Sequence, residues 1–152
     1  MIKYRKMTAE DVSQVAELEA VCFSHPWSER SVANELTNPL SLWLVAAEGD
    51  LVVGYVGSQS VLGEADMMNV AVRPECRNQG VARKLITELI AELKANGVYC
   101  LTLEVRASND PAIHLYSSMG FAQVGLRPNY YSAPKEDALI LKKEWDRENS
   151  GN

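Results

Sequence analysis

The sequence is poor in the features that mark several classes of protein. It has only three cysteines, Cys22, Cys76 and Cys100, and no Cys-x-x-Cys pair. An odd number at this spacing argues against a disulfide framework or a metal site, and we interpret each as a small buried hydrophobe or, for Cys76, a loop thiol. No apolar run approaches the roughly 20 residues of a membrane-spanning helix. No apolar stretch follows MIKYRKMTAEDV, so we expect neither a secretory signal nor a membrane partner, and a cytoplasmic location.

Positive charge is also scarce. The chain has 15 Lys and Arg against 20 Asp and Glu, a formal net charge of −5. Because nucleic-acid-binding surfaces are basic, nucleic acid is not expected as a direct partner. Residues 73–84 depart from this balance, since they carry four basic side chains and only one acidic side chain. Such a compact basic segment in an acidic protein indicates a small polyanionic ligand.

The length and composition predict one folded domain. Of the 152 residues, 47% are hydrophobic and 23% are charged, which is ordinary for a globular protein. We expect this domain to cover residues 1–145. The polar run DRENSGN, residues 146–152, is predicted to be a disordered tail. The sequence does not fix the oligomeric state, although we favour a monomer.

The hydrophobic patterns predict alternating strands and helices only in the second half of the chain. Strands are expected at residues 2–5, 42–47, 51–58, 66–72, 99–105, 121–126 and 138–141. Helices are expected at residues 12–22, 29–37, 81–96 and 111–119, the last with Asp110 as its N-cap. A strand, a long helix and another strand in succession imply a right-handed parallel crossover. The predicted fold class is therefore α/β, with a mixed, mostly antiparallel sheet of about seven strands and helices on both faces.

A glycine-containing segment stands where the long helix begins. It comprises Arg77, Asn78, Gln79, Gly80, Val81, Ala82 and Arg83. The free N–H groups and partial positive charge of a helix N-terminus suit a phosphate, and Gly80 permits close approach of the backbone. The segment is neither GxxxxGK[ST] nor GxGxxG. A plain glycine turn before a surface helix explains the pattern equally well, and the segment does not by itself distinguish ATP from CoA.

Four motifs in order resemble the GNAT acetyltransferase family. The segment Arg77-x-Gln79-Gly80-x-Ala82, after a strand that ends in residues 69–74, resembles the family's pyrophosphate loop. Further along, residues 103–109, Leu115-Tyr116-x-x-x-Gly120-Phe121 and Asn129-Tyr130-Tyr131 resemble its second half. The combination is similar to the bacterial ribosomal-protein-alanine N-acetyltransferase (RimI) group. The resemblance implies a single-domain GNAT fold that uses acetyl-CoA as cosubstrate, without a metal.

The resemblance also implies which residues bind CoA. They are Arg77 to Arg83 of the pyrophosphate loop, Val70, Ala71 and Val72 through their backbone groups, Asn109 and Tyr116. Taken by themselves, residues 70–72 are an ordinary sheet strand, and Asn109 could simply serve a turn.

Glu104 is the first catalytic candidate. On the predicted strand 99–105 it shares a face with Cys100 and Thr102, and a carboxylate in a buried strand is costly unless it is paired or used. A structural ion pair, with neighbouring Arg106 for example, explains it as well as function does. The resemblance implies that Glu104 is the general base, acting directly or through water.

Three tyrosines and a segment near residue 25 complete the candidate site. Tyr116 could be a core aromatic residue, but the resemblance makes it the general acid that protonates the departing CoA thiolate. Tyr130 and Tyr131 could be aromatic residues of a turn. The resemblance implies that they bind the acceptor's backbone, with His25 and Trp27 across the cleft.

The expected function is transfer of acetyl from acetyl-CoA to a protein N-terminal α-amine, as the resemblance implies, with an N-terminal alanine of a small-subunit ribosomal protein as acceptor. No Cys or Ser stands in a nucleophile arrangement, which favours direct attack by the amine. Two alternatives stay open: acetylation of a lysine side chain or small-molecule amine, and a non-catalytic acyl-CoA-binding module.

Overall fold

The computed structural model describes residues 1–145 as one seven-stranded sheet with four α-helices. The strands are β1 (Lys3–Lys6), β2 (Ser41–Glu48), β3 (Leu51–Val61), β4 (Glu64–Val72), β5 (Cys100–Arg106), β6 (Ala122–Tyr131) and β7 (Glu136–Glu144). The helices are α1 (Val12–Cys22), α2 (Glu29–Glu35), α3 (Val81–Ala95) and α4 (Asp110–Ser118). The predicted disordered tail, residues 146–152, lies outside the described residues. Within the described part, no helix is long and apolar enough to span a membrane.

The sheet confirms the predicted fold class. Its strand order is β1-β2-β3-β4-β5-β7-β6, and every neighbouring pair is antiparallel except β4 with β5. The parallel pair is joined through α3, which is the predicted crossover. All seven strands thus belong to one continuous sheet.

Each face of the sheet is covered by helices. On one face, α3 buries the stripe formed by Val81, Leu85, Ile86, Leu89, Ile90 and Leu93, and α4 adds Tyr116 to the same core. On the other face, α1 and α2 pack through Val15, Leu18 and Val32 against Val45 and Tyr55 of the sheet. Every apolar stripe that the sequence pattern predicted is therefore buried against the sheet.

The centre of the sheet opens between β4 and β5. These two strands pair only where Glu64–Asp66 lies beside Cys100–Thr102, whereas β4 continues to Val72 and β5 to Arg106. On its other side, β4 pairs with β3 through a bulge, since Gly57 faces Asn69 and Ser58 faces Met67. Bulges bend a strand and increase its twist. The bend and the early end of the pairing leave a gap between the two strands.

Several predicted boundaries differ from the observed ones, and two of the differences concern candidate site residues. The side chain of Asn109, not that of Asp110, caps α4 by accepting a hydrogen bond from the Ala112 N–H. Tyr130 and Tyr131 lie at the end of β6 and not in a loop, because Tyr131 pairs with Glu136 of β7. Both differences come from partners that the local pattern does not specify.

Candidate active site

A cleft of about 560 Å³ occupies the gap between β4 and β5. Its lining includes eight of the predicted site residues, namely His25, Trp27, Val70, Glu104, Asn109, Tyr116, Tyr130 and Tyr131. They come from the α1–α2 segment, β4, β5, α4 and β6, so only the tertiary fold brings them together. The cleft is consequently the candidate active site.

Glu104 presents a carboxylate to this cleft from β5. Its side chain is 27% exposed, and its Oε2 lies 3.3 Å from the Nε of Arg127 on β6. In the register of the sheet, Glu104 faces Ile140 and Arg127 faces Ala138, so Arg127 reaches Glu104 across β7. The predicted structural partner, Arg106, pairs with Glu136 at 3.3 Å instead. Glu104 is thus a partly exposed carboxylate in an ion pair whose other member is half-exposed.

Tyr116 lies at the inner wall of the cleft. It is buried to 6% exposure, and its ring meets that of Phe121 edge-on at 5.7 Å between centroids. Burial, together with the nearby Tyr131, raises the pKa of the Tyr116 hydroxyl to about 12. The hydroxyl is therefore protonated at neutral pH.

The segment before α3 forms an open helix N-terminus beside the cleft. Gly80 is the N-cap, with φ of 78°, and no side chain caps this end. Asn78 also has a positive φ, 63°, so the chain makes a tight turn immediately before the helix. A Cβ at Gly80 would meet no atom within 4 Å, so the space over this turn is open. Uncapped N–H groups at a helix start provide a fitting site for a phosphate.

The arginines of this segment are held by the protein itself. The Nε of Arg77 donates to the Val72 carbonyl at 3.2 Å, and its Nη2 lies 3.5 Å from the Sγ of Cys22. The Nη2 of Arg83 donates to the hydroxyl of Ser118 at 2.7 Å. Arg77 therefore joins the turn to the cleft, since Cys22 lines it, while Arg83 points toward α4.

Beyond Asp66, the edge of β4 that faces the gap has no strand partner, although the Val72 carbonyl already accepts a hydrogen bond from Arg77. Val70, Ala71 and Val72 pair with Val56, Tyr55 and Gly54 of β3. On their other side the pairing with β5 has already ended at Asp66. Extended backbone groups without a strand partner can bind an elongated amide-containing ligand in the manner of an added strand. Ala71, Val72 and the turn 77–83 do not line the cleft, but Val70 does, so the edge leads into it.

The outer wall of the cleft is aromatic and joins two distant segments. The Nε2 of His25 lies 3.0 Å from the hydroxyl of Ser132, beyond the end of β6. Tyr130 and Tyr131 meet edge-on at 5.1 Å, and the Arg106 guanidinium lies 4.4 Å from the Tyr131 ring centre. Burial, followed by the charge of Glu104, raises the pKa of Tyr131 to about 12. These contacts hold the two sides of the opening together.

Sequence reasoning missed several cleft-lining residues, among them Asn69, and two charged residues that contact the lining from outside, Arg127 and Glu19. Arg127 could not be recognised, because its pairing with Glu104 depends on the register of three strands. Glu19 could have been noticed, because it lies on the buried stripe of α1 with Val12, Val15 and Leu18, where a carboxylate is unusual.

Comparisons with known proteins identify the family of the chain. Residues 12–121 match the model of the Acetyltransferase (GNAT) family. The chain is 38% identical over 135 residues to the [ribosomal protein bS18]-alanine N-acetyltransferase of Haemophilus ducreyi, a match that covers 87% of this chain and 92% of the relative. It is also 38% identical over 138 residues to the Salmonella typhimurium protein of that name, covering 89% and 92%.

Solved structures agree as well. The crystal structure of the ribosomal-protein-S18-alanine N-acetyltransferase from Escherichia coli matches with a TM-score of 0.87 at 35% identity, covering 95% of this chain and 94% of that one. Ard1 from Thermoplasma volcanium shares the fold at 22% identity, with a TM-score of 0.86. The predicted resemblance and the predicted fold are both confirmed.

Proposed function

Because the chain belongs to the GNAT acetyltransferase family, we propose that it acetylates the N-terminal α-amine of a protein, specifically the N-terminal alanine of a small-subunit ribosomal protein. Two things support this acceptor. Relatives at 38% identity that carry this activity in their names are covered over about nine-tenths of their length. The cleft also joins a carboxylate, a protonated phenol and an aromatic wall in one opening. That joint placement carries the proposal.

Acetyl-CoA is the cosubstrate in this proposal, and it supplies an acetyl group on a thiol leaving group. Gly80 and the first N–H groups of α3, with Asn78, Gln79, Val81 and Ala82 around them, hold the diphosphate. The free edge at Val70–Val72 aligns the pantetheine arm, and Asn109 contacts CoA at the start of α4. The arginines contribute unequally, because Arg77 contacts Cys22 at the edge of the cleft whereas Arg83 is bound to Ser118.

Glu104 serves as the general base. Its carboxylate takes the proton that the acceptor amine loses when its nitrogen attacks the thioester carbonyl, directly or through one water. An α-amine has a pKa near 8 and a lysine near 10.4, so the α-amine reaches its neutral form at about 3 kcal/mol lower cost. One carboxylate is therefore sufficient for an α-amine, which favours this acceptor over a lysine side chain.

Tyr116 serves as the general acid. Its buried hydroxyl, with a pKa of about 12, is protonated at any physiological pH and can donate to the sulfur as the thiol leaves. The acceptor's backbone lies between His25 and Trp27 on one side and Tyr130 and Tyr131 on the other. We expect the reaction to occur in the cytoplasm.

A peptide panel tests the proposal. The protein is incubated with acetyl-CoA and peptides that differ in their first residue, each in a free and an N-terminally blocked form that contains a lysine. We expect the free alanine peptide to be acetylated at its α-amine and the blocked form to remain unmodified, as measured by tandem mass spectrometry.

Other products would identify the alternatives. Acetylation only at the lysine of the blocked peptides would contradict the α-amine proposal. A non-catalytic acyl-CoA-binding module would be indicated if calorimetry showed CoA binding but no peptide was acetylated. In that case Glu104→Gln should bind CoA with the same affinity as the wild type.

A further inference from the structure

A fully buried carboxyl group lies behind residues 23–27, the wall on which the acceptor is proposed to bind. Glu19 of α1 has 0% exposure. Its Oε1 accepts a hydrogen bond from the backbone N–H of Trp27 at 2.8 Å, and its Oε2 accepts one from the side-chain amide of Asn69 at 2.8 Å. The hydroxyl of Tyr55 donates to Oε2 as well. One side chain thus joins α1, the segment before α2, β3 and β4.

This arrangement is an expensive way to stabilise a core. Within residues 1–145, Glu19 has no ion-pair partner, and the three groups that face it are neutral donors. A buried carboxyl group that is held only by neutral donors is costly, and removing it would leave the backbone N–H of Trp27, the Asn69 amide and the Tyr55 hydroxyl without their acceptor. Glu19 therefore fixes the positions of these three groups at the cost of its own burial.

The Trp27 side chain is fixed from the same direction. Its ring meets that of Trp43 edge-on at 5.3 Å, and Trp43 stacks on Tyr55 at 5.8 Å. Gly57 leaves the space for this stack, since a Cβ there would lie 2.4 Å from the Trp43 ring. Both the backbone and the ring of Trp27 are thus tied to the group that also holds Glu19.

We propose that Glu19 is a positioning residue for the acceptor, because it anchors the wall at residues 23–27 and orients Asn69. Trp27 and Asn69 both line the cleft, whereas Glu19 does not. The inference rests on the proposed function, in which Trp27 contacts the acceptor peptide. The side chain of Glu19 bonds Trp27, Tyr55 and Asn69 and not the turn before α3, which reaches α1 through the Arg77–Cys22 contact, so we expect acetyl-CoA binding to change little when the anchor is lost.

Glu19→Gln is the main test. Glutamine has the same shape but one acceptor oxygen, so at least one of the three donors loses its partner. We expect the KM for the alanine peptide to rise about tenfold and kcat to change less than threefold. The Kd for acetyl-CoA should stay within twofold of the wild-type value. Amide hydrogen exchange in residues 22–28 should become faster, while exchange in residues 74–82 should not change.

A second variant and a matched control keep the test decisive. Tyr55→Phe removes one donor to Glu19 and should raise the peptide KM in the same direction by a smaller factor, which decides the question if Glu19→Gln does not fold. Asp11→Asn alters another buried carboxylate, 4% exposed and away from the cleft lining, and should leave the peptide KM unchanged.

Two results would overturn the inference. The first is a lower thermal stability of Glu19→Gln with an unchanged peptide KM and unchanged exchange in residues 22–28. The second is an equal rise of the peptide KM in Asp11→Asn. If the wild-type protein left the alanine peptide unmodified, the proposed function would fail, and the exchange measurement would still confirm or refute the anchoring.

Discussion

Tyr116 illustrates how the surroundings of one side chain decide its chemistry. From the sequence alone, a tyrosine one turn before Gly120 is first interpreted as a core aromatic residue, and the structure places its ring in the core against Phe121. Its side chain nevertheless lines the cleft, and burial raises the pKa to about 12. The core packing and the proposed acid role are therefore properties of the same position.

Replacing Tyr116 by Phe should lower kcat about ten- to a hundredfold without abolishing activity. The usual contribution of a general acid is about 10²- to 10⁴-fold, and a thiol with a pKa near 8.5 leaves readily even without help. The peptide KM should change little. Tyr4→Phe, in β1 at the far edge of the sheet, is the matched control and should retain wild-type kcat. Equal rates for Tyr116→Phe and wild type in a steady-state assay would exclude the acid role.

The pH dependence follows from the raised pKa of Tyr116. Because burial favours the neutral phenol, the group stays protonated below its pKa of about 12 and loses its proton only above it. At saturating acceptor, kcat should accordingly show no decrease attributable to Tyr116 between pH 7 and pH 10. An alkaline decrease with a midpoint below pH 10 that disappears in Tyr116→Phe would contradict this prediction.

The surroundings of Glu104 show where sequence reasoning about single residues ends. Strand alternation correctly placed Glu104 on one face with Cys100 and Thr102, since β5 runs regularly from Cys100 to Arg106. Its predicted partner, Arg106, was wrong. The actual partner, Arg127, lies two strands away in the sheet and is selected by the registers of β5 with β7 and of β7 with β6.

Among the elements, α3 is the one that the sequence describes best. Its stripe of apolar residues repeats at the helical period, and the glycines at its two ends both adopt positive φ, 78° at Gly80 and 81° at Gly97. Short-range signals of this kind do not depend on the rest of the fold. The predicted end of the helix differs from the observed one by a single residue.

The two glycines allow a matched test of the phosphate site. A Cβ at Gly80 or at Gly97 meets no atom within 4 Å, so an alanine at either position incurs only the backbone cost, about 1 kcal/mol. Gly80→Ala should also raise the Kd for acetyl-CoA about tenfold, because the ligand approaches that turn closely. Gly97→Ala should leave the Kd unchanged. Equal Kd values for both variants, measured by calorimetry, would contradict the proposed phosphate site at the turn before α3.

The start of α4 and the end of β6 were predicted less well than α3. Asn109 and Asp110 are both good capping residues, and the choice depends on the turn in which β5 ends, where the Asn109 side chain reaches the Ala112 N–H. Pro128 made the last residues of β6 resemble a loop in the sequence, but Tyr131 pairs with Glu136 of β7. At the end of β6, tertiary context overrides the local preference, whereas at α4 the sequence offers two adjacent residues that are both good caps.

In the first half of the chain, a buried and a partly buried carboxylate, Asp11 and Glu35, stabilise the fold through hydrogen bonds. Burial by itself raises the pKa of Asp11, but its hydrogen bonds from the Arg5 side chain, at 2.7 Å and 3.0 Å, and from Thr8 outweigh burial and hold the pKa below its ordinary value. Burial also raises the pKa of Glu35, but four side-chain hydrogen bonds outweigh burial, so the pKa of Glu35 is lowered. Both groups stabilise the fold only while they are ionised.

The fold should therefore lose stability in acid. A carboxylate whose pKa is depressed by folding contributes fully above its ordinary value, near 4, and loses that contribution as the pH falls through its folded-state pKa. The urea midpoint should decrease from pH 6 to pH 3. Asp11→Asn should be less stable than wild type at pH 6, and the gap should narrow toward pH 3. Glu10→Gln, at an exposed neighbouring position, is the control, and its urea midpoint should equal that of the wild type at each pH. If the difference in stability between Asp11→Asn and the wild type were the same at pH 6 and pH 3, the proposed role of Asp11 ionisation would be refuted.

The sequence by itself determined the order of elements, the α3 stripe, the glycine turn before it and the family, because periodicity, turn chemistry and motif spacing are properties of neighbouring residues. Only the tertiary structure decided that β4 and β5 separate after Asp66 and Thr102, that Arg127 meets Glu104, and that Glu19 lies behind Trp27. These contacts join residues far apart in the chain. Strand register and the packing of α1 on the sheet bring them together, and no local pattern records either.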